Sequence, residues 1–71
     1  MFNYDRAELI NIGSKCREIR LKNNLTMKQV AKLFNVGEYI ISNFEYGRTN
    51  SAIIYNNYLK LDNGEYNIEV I

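Results

Sequence analysis

The stretch that decides the fold is residues 26–48, which read TMKQVAKLFNVGEYIISNFEYGR. Thr26 and Gln29 have the spacing of a capping box, in which each side chain accepts a hydrogen bond from the other residue's backbone N–H at a helix start. Apolar residues then recur at helical spacing, at Val30, Leu33 and Phe34. Asn35 tolerates a positive φ and can end this helix after about two turns.

A second short helix is predicted over residues 38–46, because Ile41 and Phe44 are again three residues apart. Gly47 stands where a helix C-terminal glycine belongs. The outer face of this helix would carry Glu38, Tyr39, Ser42 and Asn43. Two short helices around a tight turn, the second with a polar outer face, form a helix-turn-helix arrangement over about residues 26–46.

Helices are predicted on both sides of this motif. Asp5 and Glu8 form another capping box, and a stripe follows at Leu9, Ile12, Cys16 and Ile19. Gly13 interrupts that stripe, so the helix could begin as late as residue 12. Ser51 can cap a fourth helix whose apolar stripe is Ile54, Tyr58 and Leu61. These patterns predict four helices, so the predicted class is mainly α.

The end of the chain has a different pattern. A turn is predicted at residues 62–65. Tyr66, Ile68 and Val70 then alternate with Asn67, Glu69 and Ile71, a period of two that predicts a short β-strand over about residues 65–71. A lone strand leaves backbone groups unpaired, and the same strand of a second copy would satisfy them in a homodimer. The alternatives for the strand are pairing with residues near Lys60 and fraying, and the alternative dimer contact is the fourth helix.

Length and composition point away from an enzyme. A chain of 71 residues forms one domain, residues 1–71, with one small core and no room for a supported substrate cleft. Histidine, the commonest general base, is absent, and the single cysteine excludes an internal disulfide and a multi-cysteine zinc site. We expect no enzymatic activity, no cofactor and no metal.

No signal-peptide core opens the sequence, and no apolar run approaches the roughly 18 residues of a membrane span. A lone thiol suits a reducing compartment. The many asparagine, isoleucine, lysine and tyrosine residues suggest an AT-rich coding sequence, which is typical of a low-GC bacterium or its phage. We therefore expect a cytoplasmic protein, in a bacterial cell or a phage-infected host, without membrane contact.

Charge is unevenly distributed along the chain. Residues 13–50 hold seven basic and three acidic side chains, net +4, whereas the flanks hold two basic and five acidic ones, net −3. An anionic partner would bind the basic middle of the chain. The alternative is that these charged side chains are only the solvent-exposed surfaces of helices.

Residues 12–61 resemble the lambda-repressor-like (Cro/C1-type, XRE-like) helix-turn-helix family, which implies a mainly α domain of four to five helices. Ala31 occupies the family's small-residue position, and Asn35 holds the turn position that is usually glycine. Ile41 begins the sequence ISNFE, which is similar to the family pattern I-S-x-[ILF]-E, and EYGR at residues 45–48 is similar to the ending E-x-G-[KR].

The resemblance implies a role for each candidate residue. The contacts to base edges in the major groove would come from Glu38, Tyr39, Ser42 and Asn43. The contacts to phosphates would come from Lys28, Arg48, Thr49 and Asn50. Arg20 would pair with Glu45 and hold the first helix against the third.

The function implied is a small sequence-specific regulator of transcription, a phage or mobile-element repressor that binds a palindromic operator in double-stranded DNA as a dimer. The alternative is a helix-turn-helix scaffold that binds another protein, such as an antitoxin, an antirepressor or a phage inhibitor of a host defence nuclease. This alternative stays open because the second helix of the motif has no lysine or arginine.

Overall fold

The computed structural model describes residues 3–70, which form four α-helices and a terminal 3-10 turn. The helices are α1 (Arg6–Lys22), α2 (Met27–Phe34), α3 (Glu38–Glu45) and α4 (Ala52–Asp62), and the 3-10 turn is Ile68–Val70. The expected mainly helical class is confirmed. None of the helices in this part of the chain is long and apolar enough to cross a membrane.

Both predicted capping boxes are present. Asp5 Oδ1 accepts from the Glu8 N–H at 2.9 Å, and Glu8 Oε1 accepts from the Asp5 N–H at 3.1 Å. Thr26 and Gln29 exchange the corresponding bonds at 3.1 and 2.9 Å. The first box starts α1 at Arg6, so Gly13 lies inside the helix and does not delay its start.

Asparagines in the left-handed conformation end α1 and α2. Asn24 and Asn35 both have φ near 58°. After Asn24, the Leu25 N–H donates to the Arg20 carbonyl at 3.1 Å, which closes the helix end and turns Leu25 into the core. After Asn35, the chain enters α3 within three residues, so α2 and α3 are joined by a tight turn.

The core lies where the four helices meet. α1 packs on α3 and α4, while α2 packs on α3. Of the described residues, ten have apolar side chains that are buried there: Cys16, Leu25, Val30, Ala31, Phe34, Ile41, Phe44, Ile54, Tyr58 and Leu61. The Tyr58 ring meets Phe34 edge-on, with centroids 5.1 Å apart, and stacks on Phe44 at 5.8 Å.

The predicted C-terminal strand is wrong in the described residues. The Tyr66 ring packs on Phe34 with centroids 5.4 Å apart, and Ile68 packs against the core. The Asn67 side chain accepts the Glu69 N–H at 3.2 Å, which bends the backbone into the 3-10 turn. The described residues therefore contain no strand through which Tyr66, Ile68 and Val70 could pair with a second copy. Residue 71, the end of the predicted strand, lies outside the described residues.

Candidate nucleic-acid interface

The outer face of α3 carries the four residues predicted to contact bases. Glu38 and Tyr39 are exposed, and Tyr39 keeps 69% of its surface accessible. Ser42 and Asn43 follow on the same face and are half-buried. The opposite face turns Ile41, Phe44 and Glu45 into the protein. The short helix is thus held by one face and presents the other.

Gly37 affects the orientation of the Tyr39 side chain at the start of α3. It is the N-cap of the helix and makes no side-chain capping bond. A Cβ at Gly37 would lie 2.6 Å from Tyr39 Cε1, so the ring occupies the space that a side chain at position 37 would need. The direction of the Tyr39 ring therefore depends on this glycine.

The C-terminal end of α3 is fixed by a Schellman motif. The Gly47 N–H donates to the Phe44 carbonyl at 3.1 Å, and the Arg48 N–H donates to the Asn43 carbonyl at 2.9 Å. Gly47 has φ 72°, and a Cβ there would lie 2.8 Å from the backbone of Ile10 in α1. Glycine is required at this position both for its conformation and for the close approach of α1.

The predicted phosphate contacts lie at two places. Lys28 is exposed in the first turn of α2, while Arg48, Thr49 and Asn50 follow α3 in the loop that leads to α4. Arg48 and Asn50 are exposed and Thr49 is half-buried. The Arg48 guanidinium lies over the Tyr46 ring, 5.1 Å from its centroid.

The structure brings Arg20 and Glu45 together in a buried pair. Arg20 Nε donates to Glu45 Oε2 at 2.8 Å, and Nη2 donates to Oε1 at 3.0 Å, a two-bond geometry of high directional specificity. Arg20 Nη1 donates to the Leu25 carbonyl at 3.0 Å. The pair therefore joins the end of α3 to α1 and to the loop before α2.

Tyr58 is a member of this network that the sequence reasoning missed. Its hydroxyl donates to Glu45 Oε2 at 2.5 Å. Burial raises the Tyr58 pKa well above its usual range, and the bond to Glu45 raises it further. The bond to Glu45 likewise raises the Arg20 pKa. A signal was present in the sequence, since a tyrosine on a buried stripe needs a partner for its hydroxyl.

Gly13 does more than interrupt the apolar stripe of α1. A Cβ at this position would lie 2.4 Å from the Glu45 carbonyl oxygen and 2.6 Å from that of Phe44. The end of α3 therefore rests directly on the α1 backbone. A side chain at position 13 would push the end of α3, which carries Glu45, away from α1, which carries Arg20.

Among residues 3–70, no three acidic or cysteine side chains group as metal ligands. The predicted dimerisation residues Tyr66 and Ile68 pack inward on the protein's own core.

Comparison with protein-family models, with curated proteins and with solved structures found no match to this chain.

Proposed function

We propose that this protein is a sequence-specific DNA-binding regulator that places α3 in the major groove, and that its fold is a helix-turn-helix domain of the lambda-repressor-like type. The observation that carries the proposal is the α2–turn–α3 unit. α3 is anchored through Ile41, Phe44 and the Arg20–Glu45 pair, and its polar face is left open. A major groove admits an α-helix, and each base pair shows a distinct pattern of donors and acceptors there.

The polar face of α3 has suitable chemistry for reading bases. Asn43 can form two bonds with an adenine, and Glu38 can accept from a cytosine amino group. Tyr39 can contact a thymine methyl group or a phosphate. Eight residues make a helix of about 12 Å, which reaches only a few base pairs. Two copies on a palindromic operator would supply the missing specificity, so the proposal includes a homodimer on DNA.

Affinity in this proposal comes from outside α3, because that helix has no lysine or arginine. Lys28 and Arg48 would neutralise phosphates, while Thr49 and Asn50 would donate hydrogen bonds to them. Each neutralised phosphate releases counterions, so binding should weaken as salt rises.

A selection experiment tests the proposal. The protein is used to enrich duplexes from a pool with randomised base pairs, and affinity for the enriched duplex is measured across salt concentrations. Asn43→Ala should cost about 1–3 kcal/mol at one base position and leave unfolding nearly unchanged. The backbone carbonyl that accepts from Arg48 stays in this variant. Asn56→Ala, on the exposed side of α4, is the matched control and should bind like wild type.

Failure to enrich any duplex, with no salt-dependent affinity, would exclude the proposed function. Equal losses in the two asparagine variants would show that α3 does not read the bases. Sedimentation equilibrium of the protein with the enriched duplex gives the stoichiometry, and one copy per site would contradict the dimer.

A second candidate, the protein-binding scaffold, is favoured by one feature. A groove of about 380 Å³ opens between α1 and α4, lined by apolar and charged side chains: Lys15, Cys16, Glu18, Ile19, Lys22, Tyr55, Leu59 and Asp62. Such mixed lining suits a protein surface better than a phosphate backbone. The salt titration separates the two candidates, because only the DNA proposal requires duplex affinity.

A further inference from the structure

We propose that Tyr46 is a positioning residue, which holds the Arg48 guanidinium in place for a DNA phosphate. This inference rests on the proposed function and adds a residue to it. Tyr46 does not need to contact DNA in this role. It acts through the side chain of Arg48.

The backbone brings the two side chains together. Tyr46 is the C-cap of α3, and Gly47 then reverses the chain in the left-handed conformation. The Arg48 N–H is tied to the Asn43 carbonyl at 2.9 Å, which fixes where the Arg48 side chain starts. The guanidinium carbon lies 5.1 Å from the Tyr46 ring centroid, within the range of a cation–π contact.

The Arg48 guanidinium is available for an anion. Within residues 3–70 no ion pair and no hydrogen bond engages its N–H groups, whereas Lys22 is paired with Asp62 and Arg20 with Glu45. A guanidinium over an aromatic face can still donate from its edge to two phosphate oxygens. The contact with Tyr46 therefore limits the freedom of the side chain without occupying its donors.

The exposure of Tyr46 shows that its ring is not part of the hydrophobic core. Tyr46 keeps 50% of its surface accessible, and its ring is not among the buried side chains. A long side chain loses freedom when it binds, so holding it beforehand strengthens binding. The ring face provides the contact, and the hydroxyl is not needed for it.

Affinity for the enriched duplex tests the inference in four variants. Tyr46→Leu removes the ring and should weaken binding by about two- to fivefold, the range of an exposed cation–π contact. Tyr46→Phe keeps the ring and should bind like wild type. Arg48→Gln should weaken binding to all duplexes and reduce the salt slope by about one. Adding Tyr46→Leu to Arg48→Gln should cause no further loss.

A spectroscopic readout on the free protein tests the same contact. The Arg48 side-chain protons should be shifted upfield by the Tyr46 ring in wild type and in Tyr46→Phe, and this shift should vanish in Tyr46→Leu.

The duplex-binding experiment has its own control for the loss of a positive charge. Lys60→Gln removes an exposed cation from α4 and is compared with Arg48→Gln. It should keep the wild-type salt slope.

The outcomes are distinguishable. Duplex binding by wild type with an unchanged affinity in Tyr46→Leu would overturn the inference and keep the proposed function. An equal loss from Tyr46→Leu in the presence and absence of Arg48 would also overturn it, because the ring would then act by itself. Absence of duplex binding in wild type would overturn the proposed function, and this inference with it.

Discussion

Replacing Gly13 by alanine should destabilise the protein, although helix propensity predicts the opposite. Alanine is better than glycine by about 1 kcal/mol inside a helix, and Gly13 lies well inside α1. The added Cβ would lie 2.4 Å from the Glu45 carbonyl oxygen, whereas real contacts of a Cβ are essentially never shorter than 3.0 Å. The obstacle is backbone, so α1 and α3 must move apart.

The size of the loss follows from what that movement disturbs. Overpacking costs about 1–3 kcal/mol. Separating the helices also stretches the bonds of 2.8 and 3.0 Å between Arg20 and Glu45. After the gain in propensity, we expect a net loss of about 2 kcal/mol, which lowers the melting temperature of a domain this size by about 10 °C.

Thermal and urea denaturation followed by circular dichroism measure this effect. Ser14→Ala, at the exposed neighbouring position of α1, is the control and should be neutral or stabilising by about 0.5 kcal/mol. If Gly13→Ala raised stability as much as the control does, the direct contact of α3 with the α1 backbone would be refuted.

Three further predictions concern the core and the start of α3. Tyr58→Phe keeps the ring contacts but loses the bond to Glu45, so urea denaturation should show a loss of about 1–2 kcal/mol; a loss of a few tenths would contradict the network. Burial raises the Cys16 pKa from 9.0 to about 12, so the folded state retains a proton that the unfolded state releases above pH 9. Stability should therefore fall as pH rises from about 9 to about 12, and an unchanged urea midpoint over that range would contradict this. Gly37→Ser should change stability by only a few tenths of a kcal/mol. Because the new Cβ displaces the Tyr39 ring, this variant should select a different duplex from the randomised pool, and an unchanged selection would argue against a role for that ring.

Local signals in the sequence predicted the helices well. The Asp5/Glu8 and Thr26/Gln29 pairs form capping boxes, and Ser51 accepts the Ile54 N–H at 3.2 Å at the start of α4. Each of these bonds joins residues three apart, so the local sequence is enough to predict where these helices start. The apolar stripes predicted the buried faces for the same reason.

Contacts between distant residues were harder to predict. The alternation from Tyr66 onward indicates a strand only if a partner strand exists, and the Phe34 ring offers Tyr66 a different site. Spacing along one helix does not reveal that Gly13 is opposite the end of α3, or that Tyr58 reaches Glu45. These features depend on how the helices pack, and they determine how firmly α3 is held.

The most direct test of the central claim is to map the DNA contact on the protein by nuclear magnetic resonance. Backbone amide shifts are followed while the enriched duplex is added to the intact chain. The proposal predicts the largest changes in α3 from Glu38 to Asn43 and in the loop at residues 48–50, with little change along the exposed side of α4. Changes centred on the α1–α4 groove, or no changes in α3, would contradict the claim that α3 reads DNA.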